Sequence, residues 1–415
     1  MAERKSGGQN RQCAILWLSF LPPRKSPQDA GTQSFSYYYY AMCNDSRFRV
    51  KLLASVFEDL DKTESENNDN DHKYFFAESS SVIQRLQNIE STLNPYTRYA
   101  GLLSNFLVHE ILVELNRLRD EGYLPDIVVL EWTSMVVLAE QVKAIFPKSK
   151  LVATEQDVAF VGLERWSKYP SDPFRRWFRE TRAKVEKRIE VNSLKLCDLI
   201  IPMNADNGEL LVREGVCKSK IWGMSPYYHS MMNLERNGDD KTILFFGAMN
   251  RSENVLSVKW FVDKVMPRLD DLNVRFVILG SKPTDEVMRL ESERVHVTGY
   301  VECVDCYFSR CACVVVPLVL GAGIKIKVLE ALSAGAPTLS NAIGIEGIHA
   351  EDGDAYLHCE TPEEFADGVR KIILDHEFAY QLSCGSRAFM RDNFSYEKSL
   401  EEYKNRILGL CSDLN

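Results

Sequence analysis

The C-terminal half of the chain alternates short apolar runs with amphipathic segments, and this alternation limits the possible folds more than any other feature. "KTILFFG", "VRFVILG", "VHVTGYV" and "CVVVPL" are short and rich in β-branched or aromatic residues, whereas "PEEFADGVRKIILD" has helical spacing. The apolar runs lack the in-and-out alternation of a half-exposed strand. They therefore predict a parallel sheet that is covered by helices on both faces.

The N-terminal half repeats this pattern less regularly. "CAILWLSF", "FRVKLLASVF", "DIVVLEW", "KLVATEQ" and "CDLIIPM" are predicted strands, and a long helix is predicted from Pro173 to Leu196. The acidic segment 58–73 is expected to be a solvated loop, and the polar segment 225–241 an interdomain linker. A chain of 415 residues is too long to fold around a single hydrophobic core, so we expect two doubly wound α/β domains.

Charge and hydropathy argue against several kinds of protein. The net charge of -9 gives no reason to expect a nucleic-acid partner. No run approaches the roughly 18 apolar residues that cross a bilayer. The basic start resembles a signal peptide, but its apolar run stops at Pro22 and Pro23 without a small-residue cleavage site. Eleven cysteines in no regular framework favour reduced thiols and a cytoplasmic location.

One cysteine group raises the question of a metal. "CVDCYFSRCACVVVPL" brings Cys303, Cys306, Cys311 and Cys313 close together in sequence, as a zinc site would. However, Cys311 and Cys313 open an apolar run that is typical of a buried strand, and no second Cys-x-x-Cys lies at a finger-like spacing. We expect small buried thiols here and no metal.

The stretch "GAGIKIKVLEALSAGAP" combines features of an anion site. Gly321 and Gly323 allow the backbone to approach a ligand, and the following helix start offers N–H donors and the positive end of a dipole. Lys325 and Lys327 add two cations, which together suit a diphosphate. Glu330 lies on the same helix face as Lys327 and could accept hydrogen bonds from ribose hydroxyls. The alternative is an ordinary Lys327–Glu330 surface pair beside simple turn glycines.

Two further turns in the same half point to the same ligand. Gly247 ends a strand in "FFGAMNRSEN", and Asn254 is expected to cap the next helix and to leave backbone N–H groups free. Gly299 in "VTGYV" allows a flat or bulky group to approach closely. Three such turns favour a nucleotide-diphosphate site over the simple-turn alternative.

The stretch "GAGIKIKVLEALSAGAPTLSNAIGIEGI" closely resembles the nucleotide-binding segment of retaining GT-B glycosyltransferases of the family-4 type, the glycosyl transferases group 1. "FFGAMNRSENVLSVKWF" resembles the strand–turn–helix opening of that segment, and "VTGYV" resembles the part whose backbone reads the base. The similarity is strong over residues 241–348 and faint in the N-terminal half.

The resemblance implies a GT-B fold, an α/β architecture of two doubly wound Rossmann-like domains that face a central cleft. Residues 1–225 would form the acceptor-binding domain and residues 226–394 the nucleotide-sugar donor-binding domain. Residues 395–415 would form a helix that crosses back to the N-terminal domain.

The resemblance also assigns roles in the donor site. Glu330 would bind the donor ribose, while Lys327 and Lys325 would stabilise the diphosphate during catalysis. Ala322 stands where many relatives carry an additional acid, so this part of the pattern is missing. The donor-binding residues that the resemblance implies are Gly247, Asn250, Asn254, Tyr300, Val301, Gly321, Ala322, Gly323 and Glu330.

The acceptor side is implied by weaker matches. Gly31 matches a glycine of an early loop near the leaving phosphate. "VATEQDV" falls where relatives often carry a histidine, and here Gln156 takes its place, so this side chain cannot exchange a proton. Asp157 is expected to orient a sugar and is counted with the catalytic residues. Glu131 is a further candidate, and its alternative role is to cap the next helix.

The expected activity is that of a retaining hexosyltransferase. It would move a sugar from a nucleotide-diphosphate donor to a glycan, glycolipid or protein acceptor in surface polysaccharide or glycoconjugate synthesis, without a metal or another cofactor. The alternatives are a nucleotide-sugar epimerase and an inactive GT-B subunit that binds a nucleotide or a partner. The basic-aromatic helix "DPFRRWFRETRAKVEKRIE" is either a solvated helix or a peripheral contact with the inner face of a membrane.

Overall fold

The computed structural model describes residues 11–25, 30–56, 71–76, 94–99, 101–168, 172–237, 241–321 and 323–412. The chain divides into two compact units. The first comprises Met1–Met224 together with Glu397–Asn415, and the second comprises Ser225–Tyr396. No helix within the described ranges is long and apolar enough to cross a membrane.

The first unit contains a parallel sheet of six strands in the order β3-β2-β1-β4-β5-β6. Every residue of β1 and β4 is buried, because helices cover both faces of the sheet. The strands are β1 (Cys13–Ser19), β2 (Phe48–Val56), β3 (His72–Phe76), β4 (Ile127–Glu131), β5 (Lys150–Glu155) and β6 (Leu199–Pro202).

The helices of the first unit begin at clear capping signals. Ser104 accepts from the Leu107 N–H at the start of α2, and Asp172 accepts from the Arg175 N–H at the start of α6, where Pro173 takes the first helical position. The helices are α1 (Ala30–Cys43), α2 (Asn105–Asp120), α3 (Thr133–Val136), α4 (Ala139–Ile145), α5 (Ala159–Lys168), α6 (Pro173–Lys195) and α7 (Ala205–Arg213), with a 3-10 turn at Lys218–Lys220.

The second unit repeats the architecture, with a parallel sheet in the order β12-β11-β10-β7-β8-β9. Counted from the first strand of each unit, the two sheets have the same doubly wound order, with the order reversing beside β1 and beside β7. The strands are β7 (Thr242–Phe246), β8 (Arg275–Leu279), β9 (Val295–Gly299), β10 (Cys313–Val316), β11 (Thr338–Ser340) and β12 (Leu357–His358).

The helices of the second unit follow its strands. The helix α13 begins with a capping box. The Thr361 side chain accepts a hydrogen bond from the Glu364 backbone N–H, and the Glu364 side chain accepts one from the Thr361 backbone N–H. The helices are α8 (Ser252–Trp260), continued by a π-turn and a 3-10 turn to Leu269, α9 (Asp285–Met288), α10 (Asp305–Arg310), α11 (Ile326–Ser333), α12 (Ala342–Ile345), α13 (Pro362–Leu374) and α14 (His376–Asn393).

The last helix, α15 (Tyr396–Ser412), packs on the first unit. Tyr403 is buried, with its ring centroid 6.4 Å from that of Trp17 and 5.8 Å from that of Tyr38. Residues 37–40 lie in one helix, α1, as the sequence indicated.

The two-sheet α/β prediction is confirmed, but three local predictions are wrong. β3 begins at His72, inside the segment expected to be a loop; residues 58–70 of that segment lie outside the described residues. Gly31 is the second residue of α1 and therefore not in a loop. The segment expected to be a linker belongs to the second unit from Ser225 onward, where Tyr228 and Met231 are buried.

Candidate functional site

The candidate donor site lies in the second unit at the carboxyl ends of β7 and β10, where the strand order reverses. This is the usual position of a ligand in a doubly wound sheet. Gly247 follows the last residue of β7, and α11 begins after the glycine-rich turn that follows β10. The structure therefore places the head of α8 and the head of α11 on neighbouring strands.

Lys327, Asn254 and Gly247 form the centre of this site. The Lys327 Nζ donates to Asn254 Oδ1, and Asn254 Nδ2 donates to the Ala248 carbonyl at 2.8 Å. A Cβ added to Gly247, whose φ is +153°, would lie 2.8 Å from Asn254 Nδ2 and 2.9 Å from Lys327 Nζ. Only glycine leaves room for this arrangement.

The predicted cap by Asn254 is wrong. Arg251 is the N-cap residue of α8 and makes no side-chain cap bond, while Asn254 is buried within the first turn. Its amide instead joins the β7 turn to Lys327. Asn254 thus fixes the position of the lysine ammonium.

Burial lowers the pKa of Lys327 to about 7, and the nearby Arg251 cation contributes to the same shift. The Nζ lies 4.7 Å from the centroid of the Phe245 ring, a cation–π contact. This contact favours the cation, but burial and Arg251 outweigh it, so the environment as a whole disfavours the charge of Lys327. An anion bound beside it would restore that charge.

Lys325 has a different environment. It is the N-cap residue of α11, and its Nζ donates to the Gly323 carbonyl and lies 3.4 Å from Glu346 Oε2. Gly321, with φ +145°, leaves space for this side chain, because an added Cβ would lie 3.2 Å from Lys325 Cε. Ala322 lies outside the described residues.

Glu330 is only 6% exposed and lies one turn beyond Lys327 on α11. Its Oε1 accepts from the backbone N–H of His229 at 3.4 Å. Burial raises the pKa of Glu330 to about 8. Among the described residues Lys327 and Glu330 form no ion pair, so the alternative of a surface pair does not hold.

The segment 225–237 forms one wall of the site, which sequence reasoning missed. Besides the His229 bond, Met231 N–H donates to Ser333 Oγ on α11 at 3.0 Å, and His229 Nε2 lies 2.9 Å from Asp305 Oδ1. The sequence did not predict this packing, because most residues of the segment are polar and indicated a solvated linker. The available signal in the sequence was the pair Tyr228 and Met231, which interrupt the polar segment and are buried in the structure.

The remaining donor-side residues lie at strand ends. Gly299 ends β9 with φ +67°, Tyr300 follows it with 70% of its side chain exposed, and Val301 is half-buried. Asn250 is exposed in the turn between β7 and α8. The structure joins Gly247, Asn254 and Lys327 by direct contact, whereas Asn250, Tyr300 and Val301 are related to them through the sheet.

In the first unit, Glu131 ends β4 and is buried. Its carboxylate accepts from Trp17 Nε1 at 3.2 Å and from Gln156 Nε2 at 2.8 Å. Burial raises the pKa of Glu131 to about 7. Glu131 does not cap the next helix, because Trp132 is the N-cap of α3 and has an unusual φ of 67°.

Gln156 and Asp157 follow β5. Gln156 is half-buried and is engaged with Glu131, while Asp157 is exposed and its carbonyl lies 3.4 Å from Thr133 Oγ1. Gly31 lies one helical turn before Phe35, whose ring contacts that of Trp132 at 5.2 Å.

A group of buried acids on α6 was not anticipated, because this helix is highly charged. Glu186 and Glu190 are buried, and Glu190 accepts from the backbone N–H groups of Ala159 and Phe160 at the start of α5. Burial raises the pKa of Glu190, and burial together with neighbouring carboxylates raises the pKa of Glu155. One face of α6 therefore packs on the first unit, while residues 172–177 at its start are exposed, so the choice between a solvated helix and a membrane contact stays a prediction.

The cysteine group of the second unit is divided. Cys313, the first residue of β10, and Cys311, which directly follows α10, are buried as expected, whereas Cys303 and Cys306 are exposed. Within the part of the chain that the structure describes, these four thiols do not form a metal-binding group.

Comparison with known proteins yields one family match. Residues 240–375 match the model of the family described as glycosyl transferases group 1. No curated protein matches the chain.

Several solved structures share the fold over nearly the whole chain. Sucrose-phosphate synthase from Thermosynechococcus elongatus has a TM-score of 0.70 at 14% identity, covering 97% of this chain and 100% of its own. HepE of Anabaena in complex with UDP and glucose has a TM-score of 0.63 at 14% identity, covering 95% and 98%. The lipopolysaccharide outer core galactosyltransferase WaaB in its apo form has a TM-score of 0.62 at 13% identity, covering 95% and 99%.

The TM-scores establish the fold, and the family match covers residues 240–375, which include the candidate donor site. The fold and the family match agree with the site, since the structure has two doubly wound parallel sheets and the matched segment 240–375 contains the half-buried Lys327 and the buried Glu330 of α11. Residues 240–375 carry the signature of the glycosyl transferases group 1, and the chain as a whole has the GT-B fold.

Proposed function

We propose that this protein is a glycosyltransferase that moves a hexose from a nucleotide-diphosphate donor to an acceptor, with retention of anomeric configuration. The observation that carries the proposal is the pair of side chains on α11 beside the Gly247 turn: the half-buried Lys327, whose amine is desolvated, and the buried Glu330. A partly buried lysine and a buried acid one helical turn apart suit a ligand that has both phosphates and sugar hydroxyls.

The diphosphate would bind at Lys327 and at the head of α11. The pKa of Lys327 lies near 7 because burial disfavours its charge, so an adjacent diphosphate would draw a proton onto the amine. Asn254 already holds the Nζ in place. Such a fixed cation stabilises charge that develops on a leaving group at little cost of reorganisation.

Lys325 would act on the same ligand in a secondary way. Its Nζ bonds the Gly323 carbonyl and approaches Glu346, which fixes the turn around Gly321 and Gly323. The backbone N–H groups of this turn would then bind the diphosphate or the donor sugar. Ala322 supplies no acid for this purpose.

The donor ribose would bind at Glu330. Its Oε1 already accepts from His229 N–H, and the remaining acceptor capacity would serve the two ribose hydroxyls. Tyr300 and Val301 at the end of β9 would contact the base. HepE, which shares the fold, has been solved with UDP and glucose, and this supports a uridine donor as the first to test.

The acceptor would bind in the first unit, near the carboxyl ends of β4 and β5. Glu131, Gln156 and Asp157 lie there, and Asp157 has the exposed side chain. Gln156 cannot act as a base, so the leaving phosphate itself would take the proton of the acceptor hydroxyl. Departure of the diphosphate, assisted by Lys327, is the step that the protein would accelerate.

The proposal is tested by titrating UDP, GDP, dTDP and ADP, and their glucose conjugates, into the protein by calorimetry. We expect one nucleotide series to bind, and Glu330→Gln to weaken that binding about tenfold or more through loss of ribose hydrogen bonds. Glu286→Gln, an exposed acid paired with Lys259 on α8, is the matched control and should bind as wild type. Absence of binding by every nucleotide would overturn the donor assignment.

An inactive nucleotide-binding subunit is the second candidate function. The observation that favours it is the Gln156–Glu131 hydrogen bond, which occupies a side chain where relatives often carry a histidine. This candidate predicts nucleotide binding without release of sugar from the donor in the presence of any acceptor. The nucleotide-sugar epimerase is distinguished from both by conversion of the donor without an acceptor.

A further inference from the structure

Cys13, Asp126 and Cys411 meet at the edge of the first unit where strands β1 and β4 begin. Cys13 is the first residue of β1, Asp126 directly precedes β4, and Cys411 lies in the last turn of α15. The two Sγ atoms and a carboxylate oxygen of Asp126 lie within 4.8 Å of one another. Residues from opposite ends of the chain thus form a compact S,S,O group.

We propose that these three residues bind a thiophilic divalent cation, with Zn²⁺ as the preferred ion. Two thiolates and one carboxylate are ligands that zinc accepts, and Zn–S distances of about 2.3 Å in a tetrahedron place two sulfurs about 3.8 Å apart. The observed separations, all within 4.8 Å, exceed that distance by about 1 Å at most. A water or an added ligand would complete the fourth position.

The surroundings of Asp126 match those of a metal-binding carboxylate. Asp126 Oδ2 accepts from the Ala14 N–H at 2.8 Å, and Oδ1 accepts from Arg11 Nη2 at 2.7 Å. Carboxylates that bind metals are typically held by such hydrogen bonds, which fix their direction. Each oxygen keeps a lone pair for the ion.

The charges also balance. Two thiolates and one carboxylate carry three negative charges, and Zn²⁺ with the Arg11 guanidinium carries three positive charges. The site would therefore be neutral in the buried environment of Cys13 and Asp126, where uncompensated charge is costly. Cys411 is half-exposed, which provides a path for the ion.

The position of the group indicates a structural role. It lies at the amino ends of β1 and β4, whereas Glu131 and Asp157 lie at the carboxyl ends of β4 and β5. A bound ion would join the end of α15 to the first strand. We therefore expect it to stabilise the attachment of the last helix without entering the transfer reaction.

The test uses the full-length, reduced protein and Zn²⁺ in competition with a chromogenic chelator. One equivalent should bind tightly and raise the thermal midpoint, and Co²⁺ should give the near-ultraviolet charge-transfer band of thiolate coordination. Cys411→Ser should lower the Zn²⁺ affinity by about 100-fold or more and abolish the band. Cys217→Ser, an exposed thiol of the same unit, is the matched control and should leave both unchanged.

Equal Zn²⁺ affinity in wild type and Cys411→Ser would overturn the proposal. So would absence of stoichiometric binding by the folded, reduced wild type. A Cys13–Cys411 disulfide that forms with oxidised glutathione in a protein that binds no Zn²⁺ would also overturn it, and would assign the pair to thiol exchange. Replacement of Cys13 would disturb the packing of β1, because this residue is buried. The second variant is therefore Asp126→Asn, which keeps both thiols and should weaken Zn²⁺ binding.

Discussion

Glu330→Gln should change the pH dependence of stability of the ligand-free protein in a defined direction. The ordinary pKa of a glutamate is 4.5, and burial raises the pKa of Glu330 to about 8 in the folded chain. Between these values the unfolded state releases a proton that the folded state retains. The free energy of unfolding therefore falls as the pH rises through this window.

The size of the effect follows from the width of the window. Each pH unit contributes about 1.36 kcal/mol, so a rise from about pH 5.5 to about pH 8 costs the wild type about 3 kcal/mol through Glu330 alone. Glutamine cannot ionise and removes this contribution. Relative to wild type, the variant should thus gain about 3 kcal/mol of stability over the same interval, although it loses nucleotide affinity.

Urea unfolding at several pH values, followed by circular dichroism, measures this difference. The control is Glu363→Gln on α13. Arg268 lowers the pKa of Glu363, so the contribution of this group to the free energy of unfolding is lost only as the pH falls below the ordinary glutamate range. Its profile above about pH 5.5 should follow that of wild type. Parallel profiles for wild type and Glu330→Gln would refute the burial argument for Glu330.

Four further predictions concern named side chains. Lys327→Met should weaken nucleotide-diphosphate binding roughly 30-fold, as expected for loss of a charged hydrogen bond, whereas Lys259→Met should not. Because the pKa of Lys327 lies near 7, wild-type affinity measured by calorimetry should fall as the pH rises above 7, with uptake of a proton on binding; a flat profile would contradict this assignment. Gly247→Ala should displace Lys327 and weaken nucleotide binding, whereas Gly122→Ala, with open space around its Cβ, should only reduce stability by roughly 1 kcal/mol. Phe174 and Trp177 on α6 are 70% and 49% exposed beside several arginines, so replacing both with serine should reduce co-sedimentation with anionic vesicles; equal sedimentation would remove the proposal of peripheral membrane contact.

Much of the fold could be predicted because its strands are buried on both faces. Runs such as β1 and β4 then appear as continuous apolar segments, and the glycine-rich turns mark where the chain leaves the sheet. β3 was missed because its five residues follow an acidic segment and carry no such run.

The environment of the site could be predicted less well, since it depends on tertiary packing. Sequence spacing put Lys327 and Glu330 on one face of a helix, but it could not show that both groups are desolvated. Nor could it show that Asn254 holds a lysine and does not cap a helix. Glu186 and Glu190 are buried because α6 turns one face toward α5, which a charged composition conceals.

The central claim is tested most directly by the release of nucleoside diphosphate from the donor identified by calorimetry. The protein is incubated with the labelled nucleotide sugar and candidate glycan or glycolipid acceptors, and both products are measured for wild type and Lys327→Met. The proposal predicts stoichiometric transfer of the sugar with its anomeric configuration retained, and a fall of about 100-fold or more in rate for the variant, as for loss of a group that stabilises the transition state. Tight donor binding with no release in the presence of any acceptor, or equal rates for the two proteins, would contradict it.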